Sequence, residues 1–386
     1  MSISNSLGLC IHAHFYQPTR EDPLTGKIPN EPGAAPYHDW NEKIYDRCYR
    51  PNAELGVFEK VSFNIGPTLF DWMVENHPET SQQIIAQARA NLERHGVTNA
   101  LAQPYHHTIL PLGSYQDKLT QVRWGIADFE LRFGFKPQGM WLPEAAVDLE
   151  TLAVLAQCGI QFTILAPWQA GVPNVDVTQP YRVDLPDGKA ITVIFYQADL
   201  SSNVSFNPQA TINADDFAHN LLRNDLFPRI DQPSLLTVAS DGELYGHHQP
   251  FRDQFLARLT DGALSGTPLR TTFPALWLKE HPAAQAIAIR EDTSWSCHHG
   301  VARWSTGCDC TPRSAWKKPF FSAMAWLGDE IDRIYLQMTA GLIRDPWELR
   351  HQYIDVVLGR ASIEELLQAN APLLLEPEQV HTLDLI

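Results

Sequence analysis

Two carboxylates carried to one place by different strands can cleave a glycosidic bond, one ionised to attack the anomeric carbon and one protonated to donate to the leaving oxygen. The sequence offers such a pair. Glu144 closes the stretch Gly139-Met140-Trp141-Leu142-Pro143-Glu144, where a proline that cannot donate to a sheet ladder ends a short apolar run. Asp241 and Glu243 follow the buried-looking run Leu235-Leu236-Thr237-Val238-Ala239, and Gly242 and Gly246 are expected to let the backbone turn sharply and approach a ligand closely. To act as the acid, Asp241 needs a pKa raised from about 3.9 to near 6, a cost of roughly 3 kcal/mol that burial and the neighbouring Glu243 can supply. Taken alone, Asp241-Gly242-Glu243 reads first as a solvated β-turn, and Glu144 as an acid favoured near a helix N-terminus. Their joint placement, with the histidines below, favours catalysis.

His12 and His14 alternate along the first apolar run and so share one side of it. Neutral imidazoles there can hydrogen-bond sugar hydroxyls, or hold a divalent metal with Asp241 or His106. Spacing does not separate these readings, and satisfied structural histidines are the plainer alternative. His106, after Tyr105, reads the same way. Gln17, Trp141, Glu243 and His247 complete the groups expected around a hydroxyl-rich ligand, together with Trp295 and His299 from a second stretch. That stretch, Ser294-Trp295-Ser296-Cys297-His298-His299, continues to Cys308-Asp309-Cys310. Cys297, Cys308 and Cys310 could hold zinc with a histidine, but they lack paired Cys-x-x-Cys knuckles, so the stretch is read as a substrate-binding or packing loop. No phosphate-binding glycine loop and no Gly-x-Ser-x-Gly elbow occurs, which argues against nucleotide and serine-hydrolase chemistry.

The elements that must position these groups alternate. Seven apolar runs are separated by helical patterns: Leu7 to Ile11, Val61 to Ile65, Thr98 to Ala102, the run before Glu144, Phe162 to Leu165, Ile191 to Phe195 and Leu235 to Ala239. Reactive residues gather at the ends of these runs, which favours an α/β barrel over an open sheet. Asp148 is placed to cap a helix ending near Gly159, Tyr115 to Phe133 forms a long amphipathic helix, and Pro186-Asp187-Gly188 forms a hairpin turn before the sixth run. Thr19 to Asn52 is too long and polar for an ordinary connection and is expected to be a lid or binding insertion. The barrel is assigned to residues 1–290. Residues 291–386 hold the Trp/Cys/His loop and a C-terminal helical subdomain, with Asp345-Pro346 and Ser362 with Glu365 as helix starts.

Composition narrows the partners. A formal charge of −16 over 386 residues, without a basic cluster, argues against nucleic acid. No apolar run approaches the length of a membrane span and the first residues lack a basic leader, so a soluble, cytoplasmic protein is expected. Six thinly spread cysteines argue against a disulfide framework. Eleven tryptophans and 15 histidines suit an oligo- or polysaccharide substrate, although core aromatics account for many of them equally well.

In these stretches the chain resembles glycoside hydrolase family 57, the α-glucan-active group of α-amylases, 4-α-glucanotransferases and branching enzymes. The matching pieces are His12-Ala13-His14 with Gln17-Pro18, then Pro104 to Pro111, then Trp141-Leu142-Pro143-Glu144, and last Ser240 to His247, in the family's order over roughly the first 300 residues. The resemblance implies a distorted seven-stranded (β/α) barrel and a retaining mechanism with Glu144 as nucleophile and Asp241 as general acid/base. It also implies that His12, His14 and His106 line the sugar site, with no required metal or other cofactor. Phe15 and Tyr16 interrupt the family's usual His-x-His-Gln-Pro, which marks a divergent subgroup. A metal-dependent carbohydrate enzyme, such as a polysaccharide deacetylase, and a non-catalytic glucan-binding protein are the competing readings.

Overall fold

A computed structural model describes residues 7–223, 226 and 232–385. Its strands include β1 (Leu7–Phe15), β2 (Ser62–Ile65), β3 (Phe162–Leu165), β4 (Pro180–Asp184), β5 (Ala190–Phe195), β6 (Ser234–Asp241) and β7 (Leu269–Thr271). All nine residues of β1 are buried, because parallel strands flank it on both edges. On one edge β6 runs in register from Leu7 opposite Ser234 to His14 opposite Asp241. On the other, β2 pairs with His12 to Phe15, and β7 borders Leu7 to Leu9.

From β2 the circle continues through parallel bridges, Phe63 to Ala100, Ala102 to Met140 and Gly139 to Phe162, into β3, which pairs in parallel with β5. Between β5 and β6 the Gln197 N–H donates to the Thr237 carbonyl at 2.8 Å. All seven expected runs therefore become staves of one ring, in chain order. The third and fourth are bridges rather than ladders, which is where the barrel is distorted. β4 is antiparallel to β5 across the Pro186-Asp187-Gly188 turn.

The helices that brace the mouth begin and end as their residues dictate. Ser114 and Asp117 form a capping box ahead of the Tyr115–Phe133 helix, and Gly134 ends it with φ 79°. Asp148 caps Leu149–Gln157 by accepting from the Thr151 N–H, and Gly159 follows in the left-handed region. Lys118, with its ammonium buried, binds both Asp148 and Glu150 at 2.7 Å and so ties one helix to the start of the next.

The 19–52 segment departs from a simple lid. Its first part is irregular, but Asp39 caps a helix at Trp40–Ile44, and the helical path continues through Glu54. Cys48, Tyr49 and Ala53 lie in the main core, so the second half is a buried strand-to-helix connection. A sequence reading misses this because π-helical geometry at Tyr45–Tyr49 breaks the usual periodicity. Beyond the barrel, a small core of Ile343, Leu349, Leu366, Leu367 and Leu383 joins the C-terminal helices. These dock on Tyr115–Phe133 through a bidentate Arg123–Glu348 pair at 2.6 and 2.8 Å and a Trp124 indole bond to the His351 carbonyl. No described helix is long and apolar enough to cross a membrane.

Candidate active site

Glu144 leaves the fourth stave in a left-handed conformation, φ 57° and ψ 16°, followed by Ala145 at φ 45°. This turn aims the half-buried carboxyl at the Ser294–His299 stretch. The Ser296 hydroxyl donates to Glu144 Oε2 at 2.6 Å, and the Trp295 N–H donates to the Glu144 carbonyl at 3.0 Å. Two residues 152 apart in sequence are thereby joined around one carboxylate.

Asp241 ends β6 beside His14. It keeps solvent-accessible surface yet is hemmed in by protein, and its proton affinity is raised, first by desolvation and then by the charge of Glu144. Glu243 behaves differently from the neighbouring charge expected of it. It is buried, its Oε1 accepts from the Tyr49 hydroxyl at 2.8 Å and the Tyr16 N–H at 3.1 Å, and desolvation lifts its pKa to about 8. Held neutral, it exerts no like-charge push on Asp241; Glu144 does. The glycines around it also face protein rather than ligand. A β-carbon on Gly242 would sit 2.3 Å from the Phe15 ring, and one on Gly246, at φ 133°, 2.1 Å from the Arg47 carbonyl oxygen.

The state of Glu243 has a measurable consequence. Its pKa is 4.5 when unfolded and about 8 when folded, so the stability it contributes is full below about 4.5 and is lost as pH climbs through about 8. Glu243→Gln mimics the protonated carboxyl and should flatten that fall, a difference on the order of a few kcal/mol by pH 8. Thermal unfolding of both proteins from pH 5 to 8 tests it, and parallel curves would show that Glu243 ionises like an ordinary glutamate.

Aromatic and imidazole rings pack together beside these carboxyls. Trp141, fully buried, stacks on His12 and His14 with ring centroids 4.7 and 5.4 Å away and meets Trp295 edge-on at 4.8 Å. His12 is tied at Nδ1 to the Ser62 hydroxyl, and its buried Nε2 has no partner among the described residues. Burial drops its pKa to about 3, so it presents a neutral ring nitrogen. His14 is likewise held neutral, chiefly by desolvation, with Asn64 at its Nδ1. His247, its pKa lowered to about 4, stacks edge-on against Trp40 of the 19–52 segment. Gln17 is occupied by that segment too, accepting from Arg20, which also binds Glu31 and Asn41.

Two expected groups lie elsewhere. His106 is exposed and held by Gln121 at both its N–H and its Nδ1, so it does not join the cluster. Its neighbour His107 does: its Nε2 is 3.3 Å from His14 Nε2, its ring stacks on Tyr16 at 4.0 Å, and it feels the charge of Glu144. Adjacent residues in a tight turn point different ways, and the Pro104–Thr108 sequence does not say which. His299, expected at the sugar, instead lies against cysteine thiols, with Cys310 Sγ 3.5 Å from its Nδ1. Ser296 and Tyr49 were also missed as partners of the carboxylates; only the dense Ser294–His299 composition hinted at the first.

The profile of Glycosyl hydrolase family 57 matches residues 11–290. The chain belongs to this family. Over 214 residues this family-57 chain is 26% identical to the 4-alpha-glucanotransferase of Thermococcus litoralis, covering 53% of itself but 30% of that protein. The chain thus spans under a third of the length of that curated relative. Among solved structures it resembles an exo-type maltose-forming amylase from Pyrococcus sp. ST04, with TM-score 0.74 and 14% identity over 98% of this chain and 74% of the other. It also resembles a GH57-type branching enzyme from Pyrococcus horikoshii, with TM-score 0.62 and 16% identity over 99% and 94%. These likenesses bear out the seven-stranded (β/α) barrel. Residues 313–386 match a second profile, Domain of unknown function (DUF3536).

Proposed function

We propose that the chain is a retaining glycoside hydrolase or transglycosidase acting on α-glucans, with Glu144 as nucleophile and Asp241 as general acid/base. The observation that carries this reading is that two carboxyls end different staves of one ring beside the same imidazole cluster, Glu144 held by the Ser296 hydroxyl and Asp241 set beside His14. The Ser296 hydroxyl donates to Glu144, while desolvation and the Glu144 charge bias Asp241 toward keeping a proton. A carboxyl that keeps its proton is what acid-assisted glycosyl transfer needs from its donor. Family membership, and relatives named as a glucanotransferase and an amylase, support the substrate class.

In the first step Glu144 attacks the anomeric carbon, the glycosidic bond breaks, and the Asp241 proton passes to the leaving oxygen. In the second, Asp241 takes a proton from water or a sugar hydroxyl, which releases the glycosyl group from Glu144. The neutral imidazoles of His14 and His107 border the place where sugar hydroxyls would bind and Trp295 offers a partly exposed ring, with the buried Trp141 and His12 packed behind them. Hydrolysis and transfer differ only in which acceptor reaches the intermediate. The test is product analysis with malto-oligosaccharides and, separately, amylose, with Glu144→Gln as control. New products that vanish in the control support the reading, and longer or branched products mark transfer. No products from the native chain would overturn it.

The metal-dependent reading finds less support. Among the described residues, the ligand-type side chains that converge within metal-binding distance are not His12, His14 and Asp241.

A further inference from the structure

The converging groups are Cys297, His299, Cys308 and Cys310, whose ligand atoms all lie within 4.8 Å of one another. We propose that they form a tetrahedral Cys3His zinc site that fastens the Trp295–Ser296 segment to the chain entering the C-terminal helices. The distances carry the argument. Cys297 Sγ lies 3.6 Å from Cys308 Sγ and 3.7 Å from His299 Nδ1, and His299 Nδ1 lies 3.5 Å from Cys310 Sγ. With Zn–S near 2.3 Å and Zn–N near 2.0–2.1 Å, the edges of a tetrahedron are about 3.8 Å for S···S and about 3.6 Å for S···N. Three of the six edges therefore match those of a zinc tetrahedron, and all six lie within 4.8 Å. All three cysteines are free thiols, and 3.6 Å is far from the roughly 2.05 Å of a disulfide.

The ligand chemistry is equally selective, since three thiolates and one imidazole suit Zn²⁺ and reject magnesium or calcium. The surroundings explain why a cross-link belongs here. From Thr306 to Trp316 the chain forms no helix or strand, and Cys310, His299 and Trp316 are exposed, so little apolar burial holds it. A metal supplies the folding free energy that a missing core cannot. Cys297 directly follows Ser296, whose hydroxyl holds Glu144, so the site would fix the wall of the mouth from behind without touching substrate. Binding exchanges three thiol protons for one Zn²⁺, leaves a centre of net charge −1 and releases the protons to solvent.

The experiment uses the full chain, stripped with chelator and reduced. Zinc content is measured on protein purified without added metal, and the stripped chain is titrated with Co²⁺ and followed by thiolate-to-cobalt and tetrahedral d–d absorption, then with Zn²⁺ as displacer. One equivalent per chain is expected, with proton release on binding. The exposed-ligand variants Cys310→Ser and His299→Ala should each weaken binding on the order of 100-fold or more while leaving circular dichroism unchanged. A reduced chain that takes up no stoichiometric metal overturns the proposal. So does binding undiminished in both variants, or a Cys297–Cys308 disulfide in the isolated protein with no uptake after its reduction. None of these readouts depends on glucan turnover, so the zinc site and the carboxylate mechanism stand or fall separately.

Discussion

Replacing Glu144 by glutamine is expected to lower turnover of malto-oligosaccharides by about 10³-fold or more while sugar binding survives. The amide preserves the volume of the side chain and leaves an oxygen to accept from the Ser296 hydroxyl, but it cannot form the glycosyl ester. The loss corresponds to about 4 kcal/mol of transition-state stabilisation. Single-turnover rates, paired with calorimetric titration of maltopentaose, separate chemistry from binding. Turnover within a few-fold of the native chain would remove Glu144 from the mechanism and leave a binding role for the barrel.

The second large effect is at Asp241. Asp241→Asn should slow hydrolysis of natural glucans by about 10²–10⁴-fold, and much less for an aryl glucoside whose phenol leaves without a proton. The pH dependence follows from the pair. Desolvation by the surrounding protein and the Glu144 charge both favour the protonated aspartate, so the basic limb of kcat/KM should fall above the ordinary aspartate range. Taking away the Glu144 charge makes ionisation easier. In Glu144→Gln the Asp241 carboxyl should therefore titrate at lower pH, which carbon-13 carboxyl titration reads directly. An unmoved pKa would mean that the two groups do not share one site.

Much of this arrangement could be read from the chain alone, and the reasons are local. Glu144 and Asp241 were legible because each ends a short apolar run, and strand ends in a parallel barrel face one mouth. Helix limits at Asp148, Asp345 and Ser362 were legible because capping is a short-range matter. What stayed hidden depends on contacts far apart in sequence. Glu243 looked like an ordinary acid beside Asp241, and only Tyr49, 194 residues away, and the depth of its burial reveal it as a neutral group. The choice between His106 and His107 turns on Gln121, one helix later. The cysteines escaped the familiar zinc spacing because the Ala302–Ser305 helix, rather than a knuckle, brings the second pair back to the first.

The left-handed backbone at Glu144 sets stability against function. A residue with a β-carbon held at φ 57° gives up roughly 1–2 kcal/mol, which glycine would recover in part, after its own greater entropy in the unfolded chain. Selection for heat resistance alone would therefore tolerate or favour Glu144→Gly, a chain expected to melt at the same or a higher temperature and, on the proposed mechanism, to turn over nothing. Melting the two proteins side by side measures the conflict, and a clear drop in the glycine variant would place the strain elsewhere. The carboxylate sits on backbone that disfavours a side chain, so melting temperature by itself is a poor guide to whether this chain retains the proposed activity.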